Sequence, residues 1–230
     1  MAHIGGKSAA IYSPVSQSSS YIDLDNLDGE SYYKEDNQLY IKDGGYISQN
    51  ITGANNNEIW LLSADGKGNF KISLTFVDYN SNAIYTTSEL CNNDRIRYFS
   101  TYGVAPKNAN GVFIRIKGDG VIDSIRLQHL KALVVLSGWK GELRSEGGNQ
   151  FEASERDKYF QGEANSVRYL DGVPDTDTFQ KKEKIFIGFL GNKSLFNRIE
   201  GRISKINNLS GPNASPVKFR CDSVKIPFKE

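Results

Sequence analysis

The sequence has little of what most reactive sites are built from. Two cysteines (Cys91, Cys221) and two histidines (His3, His129) are spread over 230 residues. So few and so scattered, they match neither a zinc-ligand spacing nor a disulfide framework. Each histidine reads best as a solvated or hydrogen-bonded imidazole. No G-x-S-x-G elbow, P-loop, H-E-x-x-H or G-x-G-x-x-G occurs. Long apolar runs are missing too. The longest, 132–136 (ALVVL), falls far short of the roughly 20 residues a membrane-spanning helix needs, so no membrane partner is expected. Residues 1–12 hold one lysine and no apolar h-region, and no secretory leader is read there. Charge of one sign is absent as well: 28 Lys+Arg against 27 Asp+Glu gives +1, without the basic excess that drives nucleic-acid binding.

What is present describes strands and turns. There are 22 Gly, 12 Tyr and 12 Phe, with many Asn and Ser between them, and an all-β chain follows. In 70–76 the apolar Phe70, Ile72, Leu74 and Phe76 alternate with Lys71, Ser73 and Thr75, the period of a half-buried strand. Segments 112–116 and 121–127 alternate likewise, and the Lys117-Gly118-Asp119-Gly120 stretch between them predicts a hairpin turn. Further strands are predicted at 8–12, 38–41, 46–51, 58–63, 95–100, 131–136, 138–144, 184–190, 199–207 and 217–226. One segment breaks the pattern. Residues 151–159 (FEASERDKY) are charged and rich in helix formers, and Ser154 offers an N-cap, so a short helix is predicted. The chain divides into 1–20 (strand and Ser-rich arm), 21–129 (a self-contained strand series) and 130–230 (the helix and a second strand series).

Candidate sites are few. Asp23, Asp25 and Asp28 place oxygen ligands at short spacing, as calcium prefers, but lack the closing Glu of an EF-hand; a plain solvated loop is the favoured reading. Sugar-binding surfaces need exposed aromatic rings. Trp60, Tyr79, Tyr85, Tyr98 and Tyr102 are the candidates in the first strand series, against the plainer alternative that they are core residues. Nothing places two carboxylates across a cleft as a glycosidase requires, so no enzyme and no cofactor is expected.

Segments 39–53 (LYIKDGGYISQNITG), 70–78 (FKISLTFVD) and 120–127 (GVIDSIRL) resemble a carbohydrate-binding-module jelly roll of the galactose-binding-like type. The flanks resemble a different family. Segments 4–12 (IGGKSAAIY), 137–143 (SGWKGEL), 184–189 (KIFIGF), 199–206 (IEGRISKI) and 217–220 (VKFR) are similar to tail-tube and related virion proteins of long-tailed bacteriophages.

This second resemblance implies a mainly-β tail-tube-like sandwich or barrel with one short helix, carrying the jelly roll as an insert. It implies a structural protein of the virion tail, assembled in the host cytoplasm. Copies of the chain would form rings, expected to be hexameric, stacked into a tube beside neighbouring virion proteins, with DNA passing unspecifically through. Near-neutral net charge suits such self-assembly, because identical subunits of strong charge repel. A lumen that lets DNA slide should be acidic or neutral, and Glu152, Glu155, Asp157 and Glu163 are the candidates to line it. The alternative is a glycan-binding module for host surface glycans, or a capsid decoration or adaptor protein.

Overall fold

The computed structural model describes residues 2–14, 21–145, 158–169, 184–190, 198–207 and 217–225. Among them are ten strands and no helix, and every pairing with a recorded register is antiparallel. In chain order the strands are β1 (Ala2–Pro14), β2 (Asp28–Glu35), β3 (Gln38–Thr52), β4 (Ile59–Val77), β5 (Ala83–Val104) and β6 (Gly111–Ser145). Then follow β7 (Lys158–Tyr169), β8 (Lys184–Leu190), β9 (Arg198–Asn207) and β10 (Val217–Lys225). The mainly-β class predicted from alternation is what the chain adopts. It separates into two compact units, Val15–Leu130 and Met1–Pro14 with Lys131–Glu230.

Within Val15–Leu130, β2 and β3 form a hairpin across Asp36 and Asn37, both in the left-handed region (φ 48 and 61) as a two-residue turn requires. β6 lies between β3 and β4, and β5 pairs with β4. These long strands fold over along one line. Gly68 on β4 and Gly118 on β6 have φ of +128 and +144. A Cβ there would stand 2.2 Å from the Asp119 carbonyl oxygen and 2.0 Å from that of Asn69, so only glycine fits. Register shifts in the β4–β5 and β4–β6 ladders fall beside the same line, between Gly66 and Gly68 and between Asp65 and Gly66.

Beyond the bend the sheet returns over itself. Thr101 Oγ1 donates to Thr87 Oγ1 at 2.8 Å although both lie on β5, and the Phe70 and Phe99 rings stack at 6.0 Å. Between the halves sit Ile47, Leu62, Ile72, Leu74, Phe76, Ile114, Ile116 and Leu127, all buried. The result is a β-sandwich made from one folded sheet. The predicted hairpin at 117–120 is therefore a bend: β6 runs straight through it, and Lys117, Gly118, Asp119 and Gly120 keep pairing with Lys71, Phe70, Asn69 and Gly68. Two glycines with positive φ let the strand turn a corner without reversing.

In the other unit the strand order is β1-β8-β9-β10-β7-β6, and β1 also pairs with β6, so the order closes on itself as a barrel does. Trp139, Leu143, Phe160, Ala164 and Cys221 are buried, with the Trp139 and Phe160 rings 6.3 Å apart. The residues between them carry charge: Lys140 pairs with Glu163 at 2.7 Å, and Gln161 donates to Glu142 at 2.9 Å. Residues 151–157 of the predicted helix lie outside the described residues. Lys158 and Tyr159 open β7, where Tyr159 pairs with Arg144 and Asp222 and the Arg220 guanidinium sits 4.0 Å over its ring. Ladder pairing outweighs local helix preference there.

Candidate functional site

Three asparagine-rich loops meet at one end of the sandwich: 53–58 between β3 and β4, 78–82 between β4 and β5, and 105–110 between β5 and β6. Main-chain bonds lace them together. Asn57 N donates to Ala105 O at 2.9 Å and Ala105 N to Glu58 O at 2.8 Å. Asn110 N donates to Val77 O, and Gly53 N to Asn110 O, both at 2.8 Å.

Two carboxylates organise the loops from within. Asp78 Oδ1 accepts from the backbone N–H groups of Asn80 and Asn82, each at 2.8 Å, and Oδ2 accepts from Asn82 Nδ2 at 3.1 Å. These bonds, those from Asn82 foremost, hold the Asp78 carboxyl below its ordinary range. Glu58 Oε2 accepts from Asn55 N at 2.8 Å and Trp60 Nε1 at 3.2 Å, and Oε1 from Asn55 Nδ2 at 2.9 Å. Partial burial works against ionisation of Glu58 and is the largest single effect. The Asn55 bonds, His129 and Trp60 together outweigh it, and the pKa is lowered.

Both carboxylates are occupied by these bonds, and apart from Asp78 the groups lining the cleft are amides, a phenol, an alanine and one lysine. A cleft of about 380 Å³ is bordered by Asn55, Asn56, Asp78, Tyr79, Asn80, Lys107 and Asn108. Tyr79 is 84% exposed. No described residue bonds the side chains of Asn56, Asn80, Lys107 or Asn108. An amide both donates and accepts, which matches a hydroxyl, and a phenol ring offers a flat apolar face for the C–H side of a sugar. The arrangement suits a neutral polyhydroxylated ligand.

The other sequence candidates lie elsewhere. Trp60 is buried, with His129 stacked at 5.4 Å and the edge of Tyr21 at 5.0 Å, and it serves the site from beneath through Glu58. Tyr85 is half-exposed on β5, its ring stacked on Phe76 at 6.3 Å. Tyr98 is buried on β5 opposite Asp65, and so no exposed stacking ring, and Tyr102 is half-buried opposite Leu61. Asp23 accepts from Asp25 N at 3.0 Å and Asn26 Nδ2 at 2.5 Å, while Asp25 pairs with Lys34 at 3.0 Å and Asp28 opens β2. Among the described residues no three His, Cys, Asp or Glu side chains converge to hold a metal ion. Glu163 is taken up by Lys140, and Glu152, Glu155 and Asp157 lie outside the described residues. Sequence reasoning found Tyr79 but missed its amide neighbours. Their signal is the turns ANNN (54–57), DYNSN (78–82) and PKNAN (106–110), each readable as a loop.

No protein-family model and no curated protein matches the chain. Among solved structures it is similar to the enzymatically active domain of bacteriophage CBA120 tailspike protein 4, at 13% identity and a TM-score of 0.36, over 45% of this chain and 18% of that one. The chain thus spans under a fifth of that domain. It is also similar to the CBM22-1 xylan-binding domain of Xyn10C from Paenibacillus barcinonensis (12% identity, TM-score 0.33, 46% of this chain and 82% of that one). A third likeness is to a Family 16 carbohydrate-binding module (14% identity, TM-score 0.31, 39% of this chain and 74% of that one). Likenesses this low carry no argument about function.

Proposed function

We propose that Val15–Leu130 is a glycan-binding module whose site is the loop end, taking a neutral stretch of sugar chain. The observation that carries this reading is Tyr79, an exposed ring held by the Asp78-ordered turn beside amides that no described residue bonds. Binding needs no movement of the main chain, because the loops are already tied to one another. The test is a glycan array with the full chain, followed by titration of any hit against Tyr79→Ala. Removing the ring should weaken binding about tenfold or more and leave the thermal midpoint unchanged. Equal affinity of the variant, or no hit at millimolar ligand, removes the reading.

A second reading, assembly of copies into a ring of a phage tail tube, draws support from the β5 edge. Among the described residues β5 pairs with β4 alone, and Ile84, Tyr85 and Leu90 on it are exposed. Residues 83–88 (AIYTTS) contain no charge to discourage strand addition, whereas β2 at the other edge (DGESYYKE) is charged along its length. Sedimentation of the full chain tests this reading: rings support it, and a strict monomer at high concentration contradicts it.

A further inference from the structure

Away from the loops, the outer face of the sandwich carries three cations that no described acid answers. Lys71 on β4 lies directly opposite Lys117 on β6. Arg115, two residues back along β6, stands between Ser73 on β4 and Ser48 on β3. Opposite residues of an antiparallel pair share a face with Cβ atoms roughly 5 Å apart, and like charges so placed repel. No described acid forms an ion pair with any of the three.

The acids in the neighbouring rows are placed elsewhere. Glu30 and Asp28 on β2 stand opposite Tyr46 and Ser48, one strand further out. Asp119, across the Gly118 bend, accepts from Gly44 N at 3.0 Å. Glu89 pairs with the core residue Ile72 and so belongs to the other face. The Arg115 guanidinium lies 4.1 Å over the Tyr46 ring, and its Nε is buried without a hydrogen-bond partner.

We infer that this face binds the anionic groups, carboxylate or sulfate, of an acidic polysaccharide. An anion between Lys71 and Lys117 relieves a repulsion that the fold leaves standing, and the Arg115 fork held on Tyr46 suits a planar or tetrahedral oxyanion. A sugar polymer fits better than nucleic acid. The cations span two strands and are flanked by Glu30 and Asp28, on a chain of net charge +1, whereas a nucleic-acid track needs a longer basic stripe. The inference rests on charge placement and stands apart from the loop-end site.

The experiment titrates the full chain with polygalacturonate, dextran sulfate, uncharged dextran and duplex DNA at low and physiological salt. At least one acidic polymer should bind while dextran does not, and the better of the two identifies carboxylate or sulfate as the preferred group. Lys117→Glu, which sets a carboxylate opposite Lys71, should weaken that binding about tenfold or more, flatten its salt dependence and raise the thermal midpoint of the free protein. Lys71→Gln should also weaken binding, which keeps the test open if the first variant fails to fold. Tyr79→Ala should leave this binding untouched, so its outcome is separate from that of the loop-end site. Binding of neither acidic polymer, dextran binding as tightly, DNA binding more tightly than both, or a folded variant of full affinity overturns the inference.

Discussion

Tyr79 owes its position to its neighbour. The Asp78 carboxylate gathers the backbone N–H groups of Asn80 and Asn82, closing a short turn from which the intervening side chains point outward. Asp78→Ala should therefore lower glycan affinity although residue 78 is not expected to stack on the sugar, and Asp78→Asn should restore part of it; titration of both variants checks this. Glu58 ties Asn55 to Trp60, and its folded pKa lies below the ordinary glutamate value near 4.5. A depressed carboxylate pKa stabilises the fold above the unfolded pKa, and that contribution is lost as pH falls through the folded value. The thermal midpoint should drop below about pH 4.5, and Glu58→Gln should show a smaller drop than the parent when both are melted between pH 3 and 6. Burial pushes the Cys91 thiol up to about 11, so it should resist alkylation at pH 8 until the protein is unfolded, as a timed thiol assay would show.

At the scale of elements, the glycine bend decides the architecture. Gly118→Ala combines an unfavourable φ of +144 with a Cβ 2.0 Å from a carbonyl oxygen, and the backbone cannot relieve both. Gly53 also has a positive φ, +98, but a Cβ there meets nothing within 4 Å. Urea unfolding should show Gly118→Ala losing more stability than Gly53→Ala, which suffers only the conformational strain of about 1–3 kcal/mol. Equal losses would show that the bend does not depend on close approach. Alternation made most of these strands legible in the sequence, 70–76 and 112–116 among them. It could not show that 46–51 continues 38–41, or that 112–116 continues into 121–127, because Asp43-Gly44-Gly45 and Gly118-Asp119-Gly120 look alike in a hairpin and in a corner. β2 escaped notice, although Asp36-Asn37 between Tyr33 and Leu39 is a usable turn signal. Residues 158–159 read as the end of a helix because cross-strand partners from β6 and β10 are invisible in local sequence.

At the scale of the molecule, Val15–Leu130 presents an amide-lined cleft and, apart from it, a face of cations that no described acid pairs. The residues of the cleft come from three loops spread over 53–110. Each loop was visible as a turn, but their meeting follows from the folded sheet, and only Tyr79 stood out beforehand by residue type. Trp60, equally prominent in the sequence, is core because the side chains on both sides of β4 are buried from Ile59 to Ala64. Trp60→Ala should cost about 3–5 kcal/mol in urea unfolding and loosen the loop end through Glu58. The most direct test of the loop-end site is amide chemical-shift mapping on the full chain with an array-identified neutral oligosaccharide. Shifts should concentrate at 55–56, 78–80 and 107–109 and include the side-chain amides of Asn56, Asn80 and Asn108. Shifts gathered elsewhere on the chain, with these residues unmoved, would contradict it.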